Sequence, residues 1–290
     1  MANITAALVK ELRERTNAGM MDCKKALVES DGDMDKAIDW LREKGLAQAA
    51  KKAGRIAAEG AVVAYMTPCG CTGALVEVNC ETDFVANTDN FKNFANAVAK
   101  HVALANPADL DELMKQKFVD DESKTIEDMV SDATVAIGEK ITVRRFARYE
   151  TEGVVSSYIH MGGKIGVLVS FATEGVDTTT AEFAQCGRDV AMQVAAVDPI
   201  ATSREDVDPA VVEHEMGIYK AQAAESGKPE AIQEKMAVGR LEKFYKQSVL
   251  TEQEFIKDSS LTIKKYAEQV SKELGDTIEV IAFDRFTFGE

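Results

Sequence analysis

Residues able to make or break bonds are sparse in this sequence. The three histidines, His101, His160 and His214, stand far apart, and no G-x-S-x-G, Walker loop or H-E-x-x-H occurs. Cys69-Gly70-Cys71 with Cys80 is the one tempting cluster. A metal site would want a fourth ligand at a usual spacing, and C-x-C is not the C-x-x-C redox motif. The simpler expectation is that all five cysteines are thiols acting as small hydrophobes, with Gly70 at a hairpin turn. No metal and no cofactor is expected. What remains is Cys80 to Asn87, where the carboxylate of Asp83 stands beside the aromatic ring of Phe84. The pair can have a structural role: Thr82, Asp83 or Thr88 capping a helix, and Phe84 plugging a core. It can also be a contact.

The elements that must hold this stretch are legible. Ala74-Leu75-Val76-Glu77-Val78 reads as a strand entering it, and a helical pattern leaves it near Asp89. Residues 1 to about 45 read as three short helices. Ile4, Leu8 and Leu12 form one stripe; Cys23, Ala26 and Leu27 turn inward from a second helix; Met34, Ala37, Ile38 and Leu41 face in from a third. Asp33 can cap the third helix and Gly45 is expected to end it, with Leu46 to Ala58 as a separate connecting helix. So small a three-helix unit resembles a ubiquitin-associated domain. Met20 and Met21 in its first loop would suit an adaptable contact surface, or they belong to its core.

From Glu59 the chain repeats itself. Glu59-Gly60, Tyr65, Gly70, Gly73 and Leu75-Val76 return 93 residues later as Glu152-Gly153, Tyr158, Gly163, Gly166 and Leu168-Val169. Phe91, Val98-Ala99, Val102-Ala103 and Pro107 return after 92 residues as Phe183, Val190-Ala191, Val194-Ala195 and Pro199. Ser123, Thr125-Ile126, Gly138, Ile141, Val143, Phe146 and Arg148 return after 137, ending at Phe283 and Arg285. The lengthening from 92 to 137 places 45 extra residues between Pro199 and Ser260. Within them two helical patterns, about Pro209 to Glu225 and Glu230 to Tyr245, flank the turn Ser226-Gly227-Lys228-Pro229 and read as an antiparallel helical hairpin. Its Met and aromatic content suits a partner or dimer surface better than a return onto the core. The fold class is therefore α+β: an N-terminal three-helix ubiquitin-associated-like domain, then a duplicated core of antiparallel sheet with helices on one face, carrying an inserted hairpin. The expected domains are 1–55, 56–150, 151–200 with 247–290, and the insertion 201–246.

The repeat also supplies a control. By the 93-residue shift, Cys80, Thr82, Asp83 and Phe84 meet Thr173, Gly175, Val176 and Asp177. The second copy passes from strand to helix without the Thr-Asp-Phe set, so the fold does not require those side chains, and a functional reading gains over capping and plugging.

Charge narrows the partners. With 34 basic against 49 acidic residues, net −15, direct nucleic-acid binding is not expected. No stretch approaches the roughly 20 apolar residues of a membrane span. The N-terminus reads as neither a signal nor a transit peptide, so a cytoplasmic protein is expected.

Leu8 to Thr16, Ala18 to Leu27, Glu77-Val78-Asn79-Cys80 running into Thr82-Asp83-Phe84-Val85, Ser226 to Pro229, Glu234-Lys235-Met236 and Gly239-Arg240 together resemble the bacterial translation elongation factor Ts family, over nearly the whole chain. The resemblance implies a guanine-nucleotide exchange factor for elongation factor Tu, not an enzyme. Thr82, Asp83, Phe84 and Val85 would disturb magnesium and phosphate coordination in the partner's GTPase domain. Arg13, Met20, Met21 and Lys24 would touch a helix of that domain. The second core unit and the hairpin, with Met236, would meet other partner domains or a second copy of the chain. Longer members continue into a C-terminal helical module beyond the position of Glu290, and no contact of that kind is expected from these residues.

Overall fold

The computed structural model describes residues 4–16, 18–52, 54–175, 178–275 and 277–289. The chain opens with α1 (Ala6–Thr16), α2 (Met20–Glu29) and α3 (Met34–Lys52). Val9, Leu12, Cys23, Ala26, Leu27 and Ala37 form their core, with Ile4, Leu8, Met34, Ile38 and Leu41 packed around it. Asp33 caps α3 by accepting from the Lys36 and Asp35 amides, both at 3.1 Å. Gly45 does not end this helix: α3 runs on to Lys52, so no separate connecting helix begins at Leu46. The reason is packing. Gly45 is buried where a Cβ would stand 3.3 Å from Val135 Cγ2, so the missing side chain lets α3 approach a helix of the core.

The core is two copies of one unit. The first is β1 (Glu59–Met66), β2 (Thr72–Cys80), α4 (Asp83–Ala86), α5 (Asp89–Ala105), α6 (Leu110–Lys115), β3 (Lys117–Phe118), β4 (Asp121–Thr125), α7 (Ile126–Ile137) and β5 (Thr142–Glu150). The second is β6 (Val154–His160), β7 (Ile165–Glu174), α8 (Ala181–Val197), then, after the inserted helices α9 (Pro209–Ala224) and α10 (Glu230–Ser248), β8 (Glu254–Phe255), β9 (Asp258–Thr262), α11 (Ile263–Leu274) and β10 (Thr277–Thr287). Each copy builds a three-stranded antiparallel sheet with its second strand central, β1-β2-β5 and β6-β7-β10. Local signals repeat with the sequence. Thr88 and Thr180 cap α5 and α8, Thr125 and Thr262 cap α7 and α11, and Gly138 and Gly275 end those last two helices in the left-handed conformation.

Helices cover one face of each sheet, as the sequence pattern implies. Ala74, Val76 and Val78 pack under Phe91, Ala95, Val98 and Val102 of α5; Val167, Val169 and Phe171 pack under Phe183, Val190 and Val194 of α8. The opposite faces pack on each other, through Val62, Leu75, Val155, Leu168 and Phe286. Two equivalent bonds cross this seam, Val62 N–H to Gly163 O and Val155 N–H to Gly70 O, each 2.8 Å. Because both faces of β2 are covered, all nine of its residues are buried, Glu77 included. That carboxylate is held by Arg145 Nε at 2.7 Å, as burial of a charge requires.

Gly60 and Gly153 are equivalent positions at the entry to the two seams. A Cβ there would lie 2.1 Å from Val78 O and 2.1 Å from Phe171 O, both backbone atoms that a rotamer change cannot move. Gly153→Ala is therefore expected to destabilise the protein by about 3 kcal/mol, the upper range for forced overpacking, and to lower the urea midpoint accordingly. An unchanged midpoint would mean that the seam is far softer than its packing suggests.

The hairpin stands off the core. Among the described residues of α9 and α10 only Ala223 and Ala237 are buried. Val212, Met216, Tyr219 and Met236 are half-buried, and Val211, Ile218, Ile232 and Val238 are exposed. Its foot is fixed by Val212, Phe244 and Tyr245 on Ala201, Val207 and Val249, and by Arg204, which bridges Glu242 and Glu252.

Candidate functional site

Thr82 to Val85 leave β2 as a single helical turn, α4. The turn is tied down at its start. Glu139, in the connection from α7 to β5, accepts from the Glu81 and Thr82 amides through one oxygen, both at 3.0 Å. Its other oxygen accepts from the Thr82 hydroxyl at 2.7 Å. In return Glu81 accepts from the Lys140 amide at 2.7 Å and pairs with Arg55 at 3.2 Å. The Lys140 amide first, then Arg55, hold the Glu81 carboxyl below the usual carboxylate range. Downstream, Asn87 Nδ2 donates to Asp83 O at 2.9 Å and the Thr88 hydroxyl to Val85 O at 2.8 Å.

On this pedestal the side chains divide. Thr82 is a cap, its hydroxyl accepting from the Val85 amide at 3.4 Å, and Thr88 caps α5, so the capping reading holds for both. Val85 packs against the first core and Ala86 is buried in it. Phe84 is no core plug: it is 82% exposed, and Asp83 beside it is exposed too. An aromatic ring held in water on a rigid turn has its contact outside the chain. The second copy makes its turn through Gly175, at φ +66°; Val176 and Asp177, set against Asp83 and Phe84, lie outside the described residues.

Met20 and Met21 are 59% and 75% exposed, so they are surface rather than core, and Arg13 and Lys24 are exposed near them. Arg13 and Met20 line one wall of a cleft whose other wall includes Asn90 and Asn93, in the first turns of α5. The cleft thus joins the N-terminal helices to the helix that directly follows the Phe84 turn. Met236 belongs to a separate element, α10. Glu139, which positions the turn, was not singled out by the sequence: it is 57 residues from Thr82, and its flanking Gly138 signals only a helix end.

The cysteine expectation needs two corrections. Cys80 is not clustered with Cys69 and Cys71, because β2 runs its whole length between them, at about 3.3 Å per residue. Burial, with the Glu139 charge adding, pushes the Cys80 thiol up to about 11, and it donates to Thr82 O at 3.1 Å. Nor are all five cysteines thiols: Cys69 and Cys71 form a disulfide, and Cys23, Cys80 and Cys186 are free and buried. Proximity across one residue in an exposed turn, not a core environment, governs that pair. Among the described residues no group of three or more His, Cys, Asp and Glu could hold a metal ion, and no helix is long and apolar enough to cross a membrane.

A duplicated α+β core that presents one aromatic residue on a clamped turn, beside a small helical domain with exposed methionines, defines a protein built to dock on another. Comparison with known proteins makes this specific. Residues 81–290 match the family model described as elongation factor TS. The chain is 49% identical over 288 residues to elongation factor Ts of Clostridium botulinum (strain ATCC 19397 / Type A), covering 99% of this chain and 93% of that protein. It is 50% identical, with the same coverage, to elongation factor Ts of Clostridium kluyveri (strain NBRC 12016). The chain belongs to the elongation factor Ts family of translation elongation factors.

Proposed function

We propose that this protein is a guanine-nucleotide exchange factor for elongation factor Tu, and that the Thr82–Val85 turn is its working part. The observation that carries the reading is Phe84, 82% exposed on a turn whose backbone is fixed by Glu139. Exchange needs no bond-making residue. The factor must bind nucleotide-free partner more tightly than GDP-bound partner; by linkage, GDP and the factor then weaken each other equally. A preformed prong suits that task, because little ordering cost is incurred on docking. In this reading Phe84 enters the partner's GTPase domain near its magnesium site, Asp83 brings a negative charge against the metal and phosphate, and Thr82 and Val85 hold the pair in place.

The rest of the interface follows the four parts 1–55, 56–150, 151–200 with 247–290, and 201–246. Arg13, Met20, Met21 and Lys24 grip the GTPase domain across the cleft from α5. The second core unit and the hairpin, with Met236 and the exposed Val211, Ile218, Ile232 and Val238, meet other partner domains or a second copy of the chain. The test is release of labelled GDP from purified elongation factor Tu. Acceleration is expected, and its absence overturns the function. If Asp83→Ala leaves the acceleration unchanged, the metal-directed role of that carboxylate is wrong while exchange itself stands.

A further inference from the structure

The Cys69–Cys71 disulfide closes the tip of the β1–β2 hairpin, and nothing in the docking function uses it. Its surroundings argue against a structural role. The equivalent turn of the second copy, Met161-Gly162-Gly163-Lys164 between β6 and β7, contains no cysteine. Yet it makes the equivalent seam bond, Gly163 O accepting from Val62 just as Gly70 O accepts from Val155. The fold therefore builds this turn and this seam without sulfur. The sulfurs are also placed for reaction. Cys69 is exposed and Cys71 half-buried, whereas the three other cysteines are buried. The Cys71 amide donates to Cys69 Sγ at 3.4 Å, and Thr67 Oγ1 lies 3.2 Å from the same sulfur, an environment that favours a thiolate there.

We propose that Cys69 and Cys71 form a reversible thiol–disulfide exchange site whose co-substrate is a dithiol reductant. The thiolate of the dithiol attacks the exposed Cys69 Sγ. A mixed disulfide forms, the Cys69–Cys71 bond breaks, and Cys71 leaves as a thiolate that takes a proton. The second thiolate of the reductant then attacks its own mixed-disulfide sulfur. Cys69 is expelled as the thiolate that its hydrogen bonds stabilise, and it too takes a proton. Two electrons pass to the protein, and the reductant ends as a disulfide. Because the cysteine-free turn holds its seam, reduction leaves the hairpin in place.

The test uses the folded full chain, dithiothreitol as the dithiol, and a maleimide label read by mass spectrometry. Air-oxidised protein is expected to take no label. After dithiothreitol it takes two, mapped to Cys69 and Cys71, with an unchanged melting temperature; removing the reductant and adding oxidised glutathione restores the unlabelled state. The Cys69→Ser/Cys71→Ser variant takes none in either condition. Labelling of Cys69 and Cys71 before reduction overturns the proposal. So does a pair that reacts only in denaturant, or a melting temperature that falls on reduction.

Discussion

Phe84→Ala is expected to lower the acceleration of GDP release by about 10- to 100-fold while leaving the melting temperature unchanged. The two halves rest on one observation: the ring is 82% exposed in the free protein. Truncating an exposed side chain removes little folding energy. On docking, burying such a ring contributes about 1.5–3 kcal/mol, and each 1.4 kcal/mol is a decade of affinity. Because α4 is held by its own cap and by Glu139, truncation does not release the backbone, so the loss comes from the missing ring. Stopped-flow release of a fluorescent GDP analogue, paired with a thermal melt, checks both halves. A slow variant that also melts early would mean that Phe84 supports the fold; a stable variant at full rate would place the prong elsewhere.

How much of this could be read from the sequence depends on the range over which each signal acts. The duplication was legible because caps, turn glycines and core positions recur in register, and each is a local requirement: Thr88 and Thr180 cap equivalent helices, Gly138 and Gly275 end them. The hairpin followed from the lengthened offset alone. Features that fail to show locally are those that depend on a neighbour. Gly45 reads as a stop signal, but its meaning lies in Val135 of another helix, so α3 continues. Glu77 looks like the polar member of an alternating strand, but the second sheet covers that face and Arg145 neutralises it. Residue type identified the Asp83–Phe84 pair and left open whether the ring pointed in or out; only the packing of Val85 and Ala86 beneath the turn decides that. The Cys69–Cys71 bond escaped because an exposed turn, rather than a buried one, brings the sulfurs together.

Glu139→Ala is expected to slow exchange about as much as loss of the ring, although Glu139 belongs to no recognisable motif. Its carboxylate accepts from two amides and one hydroxyl at the point where β2 gives way to α4. Hydrogen bonds to a charged group contribute about 1.5–3 kcal/mol each, so their removal frees the first turn locally and spreads the ring over orientations that do not dock. A positioning role has a signature that a separate contact lacks. If Glu139 acts only by aiming Phe84, the double variant Phe84→Ala/Glu139→Ala exchanges no more slowly than the worse single variant, a strong coupling in the double-mutant cycle. If Glu139 touched the partner itself, the two losses would multiply. Glu139→Gln separates charge from geometry. Its amide oxygen can still accept on one side, but its NH2 group faces donors on the other, so an intermediate rate is expected. Hydrogen exchange of residues 81–88, fast in Glu139→Ala and slow in Phe84→Ala, would show directly that the first variant loosens the turn while the second only removes what it holds.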